Sequence, residues 1–121
     1  MRSGLFLLLL SMVYAGEGAA QCKDAMSTRD MEDCAASEYK KADGELNRIY
    51  QETLRKLQPK DAQLLRKAQR SWLAYRDAHC DAQYQLYSGG SIAPVILAQC
   101  RWTLTAQRAK EIKESYSQEG R

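Results

Sequence analysis

The sequence predicts an all-α fold, an elongated antiparallel three-helix bundle with two disulfides, on three observations. Apolar residues recur at steps of three and four through three long stretches. The stretches are separated by two short breakers, Gln58-Pro59 and Ser88-Gly89-Gly90-Ser91. Nothing alternates at period two over a useful length, and no Asn-Gly or Asp-Gly hairpin signal occurs. Short connections between long helices make chain neighbours antiparallel. The 121 residues support one domain, and 45% hydrophobic with 27% charged residues is the balance of an ordinary soluble globular protein.

Residues 1–20 read as a secretory signal peptide, which leaves residues 21–121 as the helical domain. Met1-Arg2 is a positive start, Leu5 to Val13 is an almost wholly apolar run, and Ala15 or Ala19-Ala20 offers the small residues a signal peptidase needs. The apolar run is far shorter than the roughly 20 residues of a membrane span, so no transmembrane segment is expected after cleavage. Gln21 before Cys22 is the wrong residue for lipid attachment, which favours a soluble periplasmic or secreted protein.

The first helix is expected from Ser27-Thr28, which supply N-caps, with Asp30 and Glu32 placed where negative charge suits a helix start. Met31, Ala35, Tyr39, Ala42, Leu46, Ile49, Tyr50, Thr53, Leu54 and Leu57 then form its inward stripe. Gly44 falls inside this rod at roughly 1 kcal/mol relative to alanine, which a close helix contact or a slight bend would explain. Pro59 suits the first turn of a second helix over about residues 60–87. Two glycines and Ser91 break that helix and cap the next. The third helix carries Val95, Ile96, Leu97, Cys100, Leu104, Ala109 and Ile112, with Pro94 tolerated in its first turn and a frayed tail from Ser117 to Arg121.

Within the second helix, Leu65, Ala68, Trp72, Tyr75 and His79 share one face, and Gln69, Trp72, Arg76 and Asp77 form a polar and aromatic set. Counting equal distances either side of the turn near residue 58 puts Asn47 level with Gln69 and Arg70, and Asp43 level with Ala74 and Arg76. This register predicts a structural polar layer between the first two helices, Asp43 paired with Arg76 and Asn47 bonded to Gln69. Such a layer fixes register, since deleting one partner of a buried ion pair can cost about 3–5 kcal/mol.

Cys22, Cys34, Cys80 and Cys100 are an even set in a chain bound for an oxidising compartment, so two disulfides are the default. Their intervals of 12, 46 and 20 residues contain no Cys-x-x-Cys pair to seed a zinc site, so no metal is expected. The register around Gly89-Gly90 favours Cys80 with Cys100 and leaves Cys22 for Cys34. Cys34 is also nearly level with Cys80, which keeps Cys34–Cys80 with Cys22–Cys100 as a second arrangement.

The spaced residues Ala42-Asp43-x-x-Leu46-Asn47-x-x-Tyr50, Leu65-x-x-Ala68-Gln69-x-x-Trp72-x-x-Tyr75-Arg76-Asp77-x-x-Cys80, Gly89-Gly90-Ser91 and Leu104-Thr105-x-x-Arg108 resemble the LprI-type lysozyme inhibitor family of small exported bacterial proteins. The resemblance covers about residues 22–113 and implies an inhibitor that binds a lysozyme, with no catalytic residue or cofactor. An inhibitor of a glycan-cleaving enzyme must fill a groove that works through two carboxyls, so it needs a protruding loop with donors. Tyr87, Ser88, Gly89, Gly90 and Ser91 are the candidate partner-binding residues, against the plainer reading of a glycine break with a serine cap. A net charge of +3 gives no long-range attraction toward a basic lysozyme.

Other classes are less well supported. No Gly-x-Ser-x-Gly elbow or phosphate loop is present, and the single histidine, His79, lies on an inward-reading face, so enzyme chemistry is not expected. Arg66, Lys67 and Arg70 are offset by Asp77, Asp81 and other acids, which disfavours nucleic acid as a partner. The rival is an envelope interaction or stress protein, chaperone-like, that offers a helical groove to another envelope protein. Trp102, off the core stripe, would be its exposed anchor or a cover for the bundle end.

Overall fold

A computed structural model describes residues 22–117; the leader read over residues 1–20 and the tail beyond Ser117 lie outside the described residues. Among the described residues three long helices are formed: α1, Thr28–Lys56; α2, Pro59–Leu86; and α3, Ala93–Ser115. Ser27 caps α1, its Oγ accepting from the Asp30 N–H at 3.0 Å, and Pro59 opens α2 where its missing N–H is not needed. Pro94 occupies the first turn of α3 for the same reason.

Up-down-up topology makes α1 and α3 parallel and α2 antiparallel to both. The backbones of α1 and α3 run closest together, α2 packs on α3, and α1 and α2 approach at few points. Small side chains suit the close pair: Ala35, Thr105 and Ala109 are buried, and Ala109 packs in one cluster with Leu46 and Ile49 of α1. Leu46 and Ile49 close with Ala109 and Ile112 into an apolar cluster, flanked by Tyr50, Trp72 and Tyr116. Bulky groups hold α1 and α2 apart, with the Arg76 guanidinium 5.6 Å from the Tyr39 ring centre and 5.2 Å from that of Trp72.

The disulfides are Cys22–Cys34 and Cys80–Cys100, the arrangement that the register favours. Two expectations about faces need correction. The buried line of α2 runs through Ala62, Leu65, Gln69, Arg76 and Cys80, whereas Tyr75 is 56% exposed and stacks on His79 at 5.5 Å. The face is rotated from the apolar pattern because α3 supplies polar partners to Gln69 and Arg76. Gly44 makes no close helix contact either: a Cβ built there would meet nothing within 4 Å.

Candidate functional site

The connection between α2 and α3 forms the tip of the bundle. Successive turns lock it: the N–H groups of Tyr87, Ser88, Gly90 and Ala93 donate to the carbonyls of Tyr84, Gln85, Tyr87 and Gly90. Gly89 has φ +91°, a left-handed conformation that a side chain would strain, while Gly90 has an ordinary backbone and a Cβ there would sit 3.4 Å from the Tyr87 carbonyl. All five residues from Tyr87 to Ser91 are exposed, and Leu86 beside them is 82% exposed. The tip therefore presents one leucine, one tyrosine ring, two serine hydroxyls and turn backbone to solvent. Cys80–Cys100 ties α2 to α3 beneath it, with Cys80 fully buried.

Charge is divided along the bundle. The half that contains the α1–α2 turn, residues 45–70 and 108–117, holds ten basic and five acidic side chains. The half that contains the tip and both disulfides, residues 22–44 and 71–107, holds six basic and eight acidic ones. The positive balance of the chain thus resides at the end opposite the tip.

Between these ends lies a polar layer, built differently from the one the register predicts. Gln69 and Arg76 are buried, but Asp43 is half-buried, Asn47 is exposed, and those two bond to each other along α1 at 3.5 Å. Arg76 instead pairs with its neighbour Asp77 at 3.0 Å and donates through Nη1 to the Thr105 hydroxyl at 3.4 Å. Gln69 Oε1 accepts from Arg108 Nε at 3.1 Å, and Arg108 also pairs with Glu111. Both guanidinium groups lie against Trp72, Arg108 at 5.9 Å from its ring centre. The layer therefore joins α2 to α3 rather than α1 to α2, because Thr105 and Arg108 reach Arg76 and Gln69 while Asp43 bonds to Asn47 on its own helix. Thr105 and Arg108 are its unanticipated members, and their signal is a polar i,i+3 pair inside the apolar stripe of α3.

Trp102 is half-buried, which fits a cover better than an exposed anchor. His79 is half-buried, its Nε2 3.4 Å from Gln83 Nε2. All four cysteines are oxidised to disulfides. Among the described residues no group of three or more His, Cys, Asp or Glu side chains is placed to hold a metal, and no helix is long and apolar enough to cross a membrane.

The sequence profile of the family described as lysozyme inhibitor LprI matches residues 19–112. The chain belongs to the LprI lysozyme inhibitor family. It is also similar to an uncharacterized protein of Rhizobium meliloti (strain 1021), 32% identical over an alignment that covers 91% of this chain and 88% of that protein. No solved structure gives a significant match. The match spans α1, α2 and nearly all of α3, so the tip and the polar layer both lie within the family's own region.

Proposed function

We propose that the protein acts outside the cytoplasm, in the periplasm or as a secreted protein, and inhibits a lysozyme by binding, with the tip Tyr87–Ser91 entering the enzyme's cleft. Membership of the LprI lysozyme inhibitor family together with an exposed, turn-locked tip carries this reading. Two disulfides suit an oxidising compartment. A glycosidase cleft works through two carboxyls, and the hydroxyls of Tyr87, Ser88 and Ser91 with the open backbone N–H groups are donors that such carboxyls accept.

The division of charge removes the objection raised by the net +3. Midpoints of the two halves of a rod about 40 Å long are about 20 Å apart, more than two screening lengths in physiological salt. A basic enzyme that meets the tip first therefore faces the half with more acids than bases.

The test is a lysis assay, in which the purified protein slows clearing of a peptidoglycan suspension by a lysozyme. Gly90→Trp, at the glycine with ordinary backbone angles, should abolish that inhibition and leave helicity intact. Full inhibition by Gly90→Trp would remove the tip from the interface. No effect of the parent protein on any lysozyme class would leave the envelope-interaction reading in its place.

A further inference from the structure

We propose that the groove between α1 and α2 binds the free carboxylate end of a short peptide. This goes beyond the lysozyme reading, and the groove lies at a different level of the bundle from the tip. The groove has a volume of about 200 Å³, and Leu46 and Leu73 give it apolar walls. It exists because the α1 and α2 backbones are held apart beside the packed α1–α3 pair.

Gln69 is the observation that points to a ligand. It is only 7% exposed, lines the groove, and has its Oε1 taken by Arg108 Nε at 3.1 Å. Arginine has no acceptor, so the carboxamide cannot be turned the other way, and Nε2 must point away from Arg108. Among the described residues Nε2 donates to nothing, and it is not sealed from solvent. A largely buried side chain on the groove wall thus keeps one solvent-reached N–H free of partners among the described residues.

Charge lines the same groove unevenly. Arg66 and Arg70 stand one helical turn apart on its α2 wall, where like charges repel, and neither makes an ion pair among the described residues. Counted from the turn near residue 58, Asp43 falls level with Leu73 toward one end and Tyr50 level with Arg66 toward the other, and all four line the groove. Asn47, between them, donates to Asp43 and leaves its own carbonyl oxygen open. Asp43 and Tyr50 are seven residues apart on α1, about 10 Å along its axis, which is the span of about three extended residues. A peptide fits this polarity with its carboxylate against Arg66 and Arg70, a carbonyl on Gln69 Nε2, and its N–H or ammonium end on Asp43. An inorganic anion would use the arginines alone and leave the leucine walls and Asp43 without a role.

The test uses the protein expressed from the full sequence, exported, labelled with ¹⁵N and titrated with tri-alanine, tri-alanine amide and acetate. Tri-alanine should move the Gln69 side-chain amide and Arg70 Nε–H resonances saturably, and the amide should bind at least tenfold more weakly. Arg70→Gln, at an exposed position, should weaken tri-alanine at least tenfold with unchanged helicity, and Asp43→Asn should weaken free tri-alanine but not its N-acetyl form. The proposal is overturned if these resonances stay still at millimolar peptide, if the amide or Arg70→Gln binds equally well, or if acetate reproduces the shifts at the same concentration. Each of these outcomes leaves the lysis assay, and the reading of the tip, untouched.

Discussion

The bond between Gln69 and Arg108 makes a quantitative prediction about what holds α2 to α3. Replacing Gln69 by methionine keeps the length of the side chain and removes the acceptor from Arg108 Nε. Arg108 is only 8% exposed, so water reaches it poorly, and the lost bond is one to a charged group, about 1.5–3 kcal/mol. Glu111, whose side chain is 58% exposed, still pairs with the guanidinium but as a solvent-facing partner contributes no more than about 1 kcal/mol. Gln69→Met should therefore destabilise the protein by about 2 kcal/mol.

Arg108→Met removes the donor, the Glu111 pair and the contact with Trp72, the last contributing about 0.5–1 kcal/mol, but it also removes a buried charge. A loss of about 1.5 kcal/mol is expected. The double variant puts two apolar side chains where a polar pair was, which can be nearly neutral, so its cost should not exceed either single change. The cycle should close with a coupling of at least about 2 kcal/mol. Urea unfolding followed by helical circular dichroism, with disulfides intact and a common slope, gives the three values. Additivity within about 0.5 kcal/mol would refute the argument, since it would mean that Gln69 and Arg108 do not act on each other.

Three further outcomes follow from the helices themselves. Gly44→Ala should stabilise the protein by about 1 kcal/mol, a rise of about 4–8 °C in Tm, because the Cβ meets nothing; a fall in Tm would reveal a contact on that face. Removing Cys80–Cys100 as a pair of alanines should cost about 3 kcal/mol or more in the same urea experiment. Removing Cys22–Cys34 should cost slightly less, because it closes 12 residues rather than 20 and joins less buried positions. On the exposed face of α1, Arg48 lies between Glu45 and Glu52 and holds the Glu45 carboxyl below its ordinary range through its hydrogen bond. A lowered carboxyl contributes stability above its unfolded pKa and loses it as pH falls through the folded one, so Glu45→Gln should cost less than about 0.5 kcal/mol at pH 7 and nothing near pH 2. A cost that persists in acid or in 1 M salt would contradict an ion-pair origin.

How much of this was legible in the chain depended on how local the cause was. Ser27, Pro59 and Pro94 act on the helix that they begin, whereas Ser91, expected to cap α3, does not: Ile92 precedes the helix and no side chain caps it. Cys80–Cys100 follows from register, a count along two connected helices, whereas Cys22–Cys34 follows only as the remaining pair, since the same count leaves Cys34 nearly level with Cys80. The inner face of α2 does not follow, because apolar spacing puts Tyr75 inside, while the buried line carries Gln69 and Arg76. Their partners, Arg108 and Thr105, lie 39 and 29 residues away on a helix that the turn at residue 58 says nothing about. Neighbourhoods were readable and partners were not: Asp43, Asn47 and Gln69 do line one groove, yet Asp43 does not pair with Arg76 and Asn47 does not bond to Gln69.

The polar layer and the tip are linked through α2 and α3. Two buried arginines around Trp72 are a poor source of net stability, because removing charge from water offsets much of what their bonds return. They do exclude a slip of α2 along α3, since one helical turn, about 5.4 Å, would part Gln69 from Arg108 and Arg76 from Thr105 together. Cys80–Cys100 fixes the same register from a point nearer the tip. A loop held by two helices that cannot slide loses less freedom when it enters a cleft, and affinity rises by the ordering it does not have to undergo. On this reasoning the buried residues of the family motif set register, and under the proposed binding through the tip a change in Gln69 or Arg108 should weaken inhibition through the tip's order without touching the enzyme.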